Sequence, residues 1–473
     1  MAERPVPALP DHPRVVNVGL PLFAEAVRSQ GADVASVDWR IPADGDPAVV
    51  AALRRLSGPR AGVVDTANTE VLRRLDRGAP ELVDVVPAGS VIPVLADGRV
   101  LLHCGPPIEV DRLVDPLRRS LAAAACAEGW ADSPDRAKAM LDAGELQLES
   151  ANDHGVVVPM ATAMGPRTPV WVVTLADADV TTFAPVGQGS GDVAWFGRDT
   201  PGAVDRLVLL RDAVGPVLGQ AVRTYGPIDV MALAAQAVAM GDDVHVRTQA
   251  ATNLLLRNLL PALVGGDHPR RVEVASFLSA NHLLFLSLAM AAARALTTWA
   301  GQVEHTSVVL GMTRNGTDFA ARLGRGSSWH RTAAPPVGAA LYQPGHGAED
   351  AAPDIGDSAV LELVGLGGAA AAGSPAVAQL VGGTMADAAR LTEDLAMVCV
   401  GRSTRFTIPF WGMRGSPLAV DARAVVELGI TPQITTGILH SSDGSGQIGA
   451  GVASAPLDVF TSALLELDES LRP

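Results

Sequence analysis

The chain has 473 residues, 48% of them hydrophobic and 18% charged, which rules out global disorder and suggests about two to four domains at roughly 100–200 residues each. Its net charge is −15 and no basic stripe is visible, so nucleic acid is not an expected partner. Lys138 is the one lysine among 36 basic residues. That removes a Walker A loop, and a lysine Schiff base or Ser–Lys dyad would have to use this one unpromising residue. Anion binding must therefore rest on arginine, histidine, backbone N–H groups or a metal.

In chain order, "RVVNVGL" (14–20) reads as a buried strand, "PLFAEAVRSQ" as a helix opened by Pro21, and "ADVASVDW" (32–39) as a second strand. This β–α–β unit opens an expected doubly wound parallel sheet, extended by residues 61–75 and 89–95. A helical stretch (117–142) and strands at 154–164 and 169–175 follow. Residues 203–224 and 227–300 read as helical. The longest apolar run, 277–300, carries Asn281, His282 and Arg294, so a buried core helix is expected rather than a membrane span. From about 306 the chain becomes Gly-rich, with short strands between loops, and a helix at 456–470 closes it. The expected fold class is α/β and multidomain. It comprises a Rossmann-like domain (11–116), an α/β domain (117–226), a small helical domain (227–304) and a Gly-rich α+β part bearing site loops (305–473).

Cys104, Cys126 and Cys399 stand far apart with no C-x-x-C, against a disulfide framework or a cysteine zinc site. The beginning lacks an apolar leader. A cytoplasmic location is the expectation.

Four constellations could carry chemistry. Asn17, Gly19 and Asp38 sit where dinucleotide folds hold a ribose, but no G-x-G-x-x-G turn accompanies them. A tight turn and a strand-end cap are the plainer reading. In "AMGDDVHVRTQAATNLLLRNLL" (239–260), a helix over 242–260 would align Asp242, His245, Gln249 and Asn253, with Asp243 and Arg247 paired at i,i+4. This reads either as a solvated face or as a cleft stripe where His245 and Asp243 shuttle a proton and Arg247 holds an anion. "TRNGTDF" (313–319) is either an N-G hairpin or a polar loop presenting Arg314 and Asn315 to an oxyanion. In "GILHSSDGSGQIGAG" (437–451), His440 and Ser441 precede a glycine nest of Gly444, Gly446, Gln447 and Gly449 that could cradle phosphate. "GLGGAAAAG" (365–373) beside "DIGDSA", with Asp354 and Asp357, suggests a second close-approach loop. His154 stands before a strand, where it could reach a cleft. "STRFT" (403–407) matches by coincidence the S-T-R-T stretch with which some carbamoyltransferases bind carbamoyl phosphate. No H-E-x-x-H, G-x-S-x-G or EF-hand motif occurs. No metal site or cofactor is predicted, with a divalent ion or nucleotide left open.

Together, "VNVGLPLFAEAVRSQGADVASVDWR", "LLHCGPPIEVDRLVDPLRRS", "MGDDVHVRTQAAT", "TRNGTDF", "DIGDSAVLELVGLGGAAAAGSPA", "VGGT" and "ITTGILHSSDGSGQIGAG" resemble the YlbE/YahG-type family, long described as a domain of unknown function. The resemblance implies an N-terminal Rossmann-like domain and a small helical domain. One member is similar to a subunit of oxamate carbamoyltransferase, which moves a carbamoyl group between oxalurate and phosphate with an FdrA-type partner resembling succinyl-CoA synthetase. The chain departs from the family pattern at Val246 and Thr248, where asparagines are usual, around His154, where several histidines are usual, and at His330, where an aromatic residue is usual.

The expected function is thus carbamoyl or related acyl transfer between a small ureido acid and phosphate, by an enzyme or enzyme subunit. His245 or His440 would handle the proton, with Asp243 and His154 as further candidates. Arg247, Arg314, Asn315, Asp357, Ser441, Gly444, Gly446, Gln447 and Gly449 would bind substrate and phosphate. The expected partners are a small anionic substrate, an FdrA-type subunit and further copies of the chain, with no membrane. Three alternatives remain: a diverged enzyme for another small carboxylate or amide, a nucleotide-dependent oxidoreductase, and a non-catalytic subunit.

Overall fold

A computed structural model describes residues 13–37 and 41–472. The molecule is mixed α/β, and the strands among the described residues are divided among six small sheets. Strands Arg14–Val18 and Asp33–Val37 form where expected and pair in parallel around helix Pro21–Arg28. Among the described residues these two strands pair only with each other. The next strand, Glu81–Pro87, lies in an antiparallel sheet ordered Val180–Pro185, Pro169–Leu175, Glu81–Pro87, Ile228–Asp229. The doubly wound sheet expected over 11–116 is therefore not assembled as read. Residues 61–77 are wholly helical, and 88–95 are short 3-10 turns broken by Pro93.

Helix Leu284–Ala300 is the central spine. Of its residues only Thr298 and Trp299 are not buried, as expected for a helix apolar all round. Its run of alanines lets neighbours approach closely. It packs against the Pro169–Leu175 and Val180–Pro185 strands, helix Ala61–Arg77 and helix Val230–Ala239. No single helix among the described residues is long and apolar enough to cross a membrane. A second core gathers strand Val100–His103 and helix Asp115–Ala127. A third lies under the C-terminal helix Leu457–Ser470.

The helical reading of 239–260 is corrected in part. Helix Gln249–Gly265 begins only at Gln249, and residues 240–248 form a turn. Asp243 is the reason: its carboxylate accepts the backbone N–H groups of Val246 (3.0 Å) and Arg247 (2.9 Å). A short polar side chain that bonds the backbone two to four residues on competes with helix. Val244 is held at φ 61° there, a strained conformation for a β-branched residue. Asp242 instead accepts the N–H of Ala251 at 2.9 Å, capping the helix from outside.

Candidate functional site

Seven segments meet at a cavity of about 130 Å³ lined by Met160, Trp195, His245, Val246, His282, Ser358, Thr436, Gly437 and Gln447. This is smaller than the roughly 300–1,000 Å³ of drug-sized sites and suits a small metabolite. The Asp243 turn presents His245, the antiparallel pair Gln433–Leu439 and Gln447–Ser454 brings Thr436, Gly437 and Gln447, and a 3-10 turn at Ser358–Val360 brings Ser358. A Cβ on Gly437 would lie 2.7 Å from Met160 Cε and 3.0 Å from Gln447 Nε2, so glycine keeps this wall open. Met160 lies at φ 51°.

His245 and Glu362 form a buried pair, with Nδ1 and Oε1 2.8 Å apart. Glu362 Oε1 also accepts from Gly368 N and Thr435 N, each at 3.3 Å. A carboxylate on one imidazole nitrogen fixes the ring and its tautomer. This leaves Nε2 as the nitrogen for a substrate. The Gly-rich loop makes the pair possible: a Cβ on Gly367 would collide with Glu362 Oε1 and come within 3.1 Å of His245 Nδ1. The close approach expected of "GLGG" is thus real, and its object is Glu362. Two further lining residues hold buried polar atoms with no hydrogen-bond partner, Trp195 Nε1 and Ser358 Oγ. Buried donors are rarely left unpaired, which makes both atoms candidate partners for a ligand.

The remaining residues singled out in the sequence fall elsewhere. Asp243 is buried and shapes the turn beneath His245; burial pushes its carboxyl above the usual range. Arg247 does not pair with Asp243. Its guanidinium meets Asp242 at 2.6 Å. Arg314 is wholly buried and makes a two-pronged pair with Asp354 at 2.7 and 2.9 Å, so it does not face an oxyanion. Asp354 in turn accepts the Thr436 hydroxyl at 3.0 Å, which links Arg314 to the cavity wall indirectly. Asn315 closes its hairpin by accepting Thr317 N and Asp318 N. Asp357 accepts Gly105 N (2.9 Å), Val158 N (3.0 Å) and the Thr313 hydroxyl, tying three segments together. His154 lies 2.6 Å from Glu149 and lines no part of the cavity.

The glycine nest is filled by the protein itself. Asp443 accepts Ser445 N at 2.7 Å, Arg119 and Arg198 bond the Ser442 and Ser445 carbonyls, and Ser441 N bonds Asp350 O. Gly444 and Gly446 therefore serve a turn. Gly449 lets two strands approach, since a Cβ there would lie 2.5 Å from Leu341 O. His440 lies outside the cavity, with Asp443 Oδ1 3.0 Å from its Nδ1. His346, Asp350 and His440 bring ligand atoms within 4.8 Å of one another, the grouping that could hold a metal. Asn17 is half-buried in strand Arg14–Val18, and Gly19 follows that strand. Asp38 lies outside the described residues. "STRFT" is structural: Ser403 and Thr404 bond the Asp76 carboxylate.

The family model described as "Oxamate carbamoyltransferase subunit AllG" matches residues 146–358, the span that contributes much of the cavity. Over 413 residues the chain is 38% identical to the oxamate carbamoyltransferase subunit AllG of Escherichia coli (strain K12), covering 86% of this chain and 98% of that protein. The chain belongs to the AllG family. It is also 31% identical to the uncharacterized protein YahG of the same organism, over 95% of this chain and 96% of that one, as the YahG-type resemblance implied. A crystal structure of a conserved protein of unknown function from Enterococcus faecalis V583 superposes with a TM-score of 0.83 at 31% identity, covering 86% of this chain and 98% of that chain.

Sequence reasoning missed Trp195, Ser358, Glu362 and Thr436. Glu362 sits in "AVLELVGLG", where one acid among apolar residues was its only signal.

Proposed function

We propose that the chain is a carbamoyltransferase subunit that binds a small ureido acid such as oxalurate in the His245 cavity and supports carbamoyl exchange with phosphate. Kinship with the oxamate carbamoyltransferase subunit AllG supports the reaction class. The observation that carries the local reading is the His245–Glu362 pair facing a small cavity that also holds unpartnered Trp195 Nε1 and Ser358 Oγ. When a phosphate oxygen attacks the ureido carbonyl, the carbonyl oxygen gains negative charge that preorganised N–H and O–H donors stabilise. His245 Nε2 takes the proton of the attacking phosphate hydroxyl, the C–N bond then breaks, and the departing nitrogen receives that proton from Nε2. Glu362 balances the charge on the imidazole throughout. Gln447 and Thr436 complete the polar wall. Among the described residues no arginine lines this cavity, so here the carboxylate of the substrate meets neutral donors and the histidine rather than Arg247 or Arg314.

The test is an assay of carbamoyl phosphate formed from oxalurate and phosphate, by the full chain alone and with an FdrA-type subunit. His245→Ala is expected to lower kcat by about a hundredfold or more, the usual worth of a general acid. Ser358→Ala is expected to raise KM more than it lowers kcat. Wild-type turnover left intact by His245→Ala would remove the assignment.

A second reading is favoured by one residue. Val246 lines the cavity where the family resemblance implies asparagine. An apolar side chain there suits a less polar small carboxylate or amide. Faster turnover of such a substrate than of oxalurate would select this reading.

A further inference from the structure

Farther along the central helix lies a second cavity, of about 510 Å³, lined by Arg294, Thr297, Thr298, Gln302, Arg322 and Ser327 among others. Arg294 is 5% exposed. One of its guanidinium nitrogens bonds the Asn152 carbonyl at 2.9 Å, while Nε is buried without a partner. Thr298 Oγ1 is likewise buried and unpartnered. Arg322 stacks on the Trp329 ring at 4.5 Å. Among the described residues neither arginine makes an ion pair with any carboxylate. Arg314, by contrast, has Asp354. Arg325, also at the rim, already has Glu304 3.6 Å away and is two-thirds exposed.

Two guanidiniums that share a cavity repel each other, and a buried charge without a counter-ion is costly. The strain appears on Arg294: burial, then Arg322, pull it down to about 9, against the weaker opposing pull of Asp357 and Asp153, which stand beyond ion-pair distance. Burial lowers Arg322 too. A protein interior keeps such a pair where something negative comes to meet it. Arginine forks match the oxygens of phosphate and carboxylate, and two positive charges with an adjacent hydroxyl suit a doubly charged anion.

We propose that Arg294, Arg322 and Thr298 form a binding site for a small phosphate-type dianion, separate from the His245 cavity. Arg294 lies eight residues beyond Leu286, which lines that other cavity, so the two are about 12 Å apart along the helix at 1.5 Å per residue. The dianion is inorganic phosphate or the phosphate group of a small metabolite. At that spacing it does not react directly with a molecule held at His245. Its binding neutralises the centre of the spine helix and steadies the hairpin that carries Arg322.

The experiment titrates inorganic phosphate into the full-length chain by calorimetry at constant ionic strength and without turnover, and the Arg294, Arg322 and His245 variants separate this site from any phosphate bound for carbamoyl transfer. A saturable site is expected that is weakened at least tenfold in Arg294→Gln and in Arg322→Gln and is retained in His245→Ala, whatever phosphate also binds at the other cavity. Should Arg294→Gln fail to fold, Arg322→Gln, a partly exposed position, carries the test alone. Glucose 6-phosphate in place of phosphate tells a metabolite site from a site for the free ion: tighter binding of either, lost in the same variants, supports the proposal. No saturable binding of either up to 10 mM, equal affinity in Arg322→Gln, a tenfold loss in His245→Ala, or acetate binding as tightly as phosphate would each overturn it.

Discussion

Arg314 and Arg294 are both buried arginines, and they differ in what faces them. Arg314 has both prongs on Asp354, which is itself anchored by Thr436. Removing one member of such a pair leaves an uncompensated charge and typically costs about 3–5 kcal/mol. Arg314→Met is therefore expected to lower the urea midpoint sharply. Arg314→Met with Asp354→Leu should recover much of the loss, because an apolar pair of similar size need not be desolvated. Failure of the double variant to regain stability over the single one would show that the role is not ionic. The sequence marked Arg314 correctly as unusual but not its purpose: polarity in "TRNGTDF" looks the same whether it faces a ligand or a buried acid. The same limit hid Glu362 and Ser358. His245 was legible because it stands in a short polar stretch within apolar surroundings; Gln447 was noticed too, but as part of a glycine nest rather than of this wall.

At the scale of elements, the 240–248 turn and the helix it feeds are joined by Asp242. Burial raises its carboxyl from 3.8 to about 6, against the opposing pull of Ala251 N and Arg247. The folded chain thus holds this proton up to about pH 6, while the unfolded chain releases it near pH 4. Folded protein binds more protons in that window, so the group's contribution to stability falls as pH rises from about 4 to 6 and is level above. The full swing is on the order of 2–3 kcal/mol. Asp242→Asn, which still offers an oxygen to Ala251 N, is expected to lack this slope. Chemical denaturation of both proteins at pH 4.5 and 6.5 checks it: wild type should lose ground to the variant as pH rises, and parallel behaviour would refute the assignment. The helix over 249–260 was visible from its apolar spacing. Its late start was not, because i,i+4 geometry cannot tell a carboxylate that pairs along a helix from one that folds back on its own backbone.

For the molecule as a whole, the elements were more legible than their assembly. Strand Pro169–Leu175, helix Leu284–Ala300 and the C-terminal helix stand where hydrophobic patterning places them. The opening β–α–β unit also forms, yet a doubly wound sheet was inferred from a local alternation that says nothing about which strands pair later. Among the described residues its helix and strands pack on one another and make no substantial contact with later elements. Val16, Val18, Leu20, Leu22 and Phe23 are each more than half exposed. A chain beginning at residue 41 is accordingly expected to keep its melting temperature within about 3 °C, since little apolar area is lost from the core. A drop of ten degrees or more would show that the unit is integral to the fold.

Val244 and Met160 carry backbone torsions that non-glycine residues adopt at a cost of roughly 1–3 kcal/mol each. One precedes His245 and the other lines the cavity beside it. Chambers framed in this way are stiff, because a chain already bent against its preference has few neighbouring shapes to relax into. Selectivity would then come from turning away molecules of the wrong outline, not from remoulding around them. Broadening the range of accepted compounds by directed evolution should begin with the pliable side chains at 246 and 160 rather than with the peptide frame behind them.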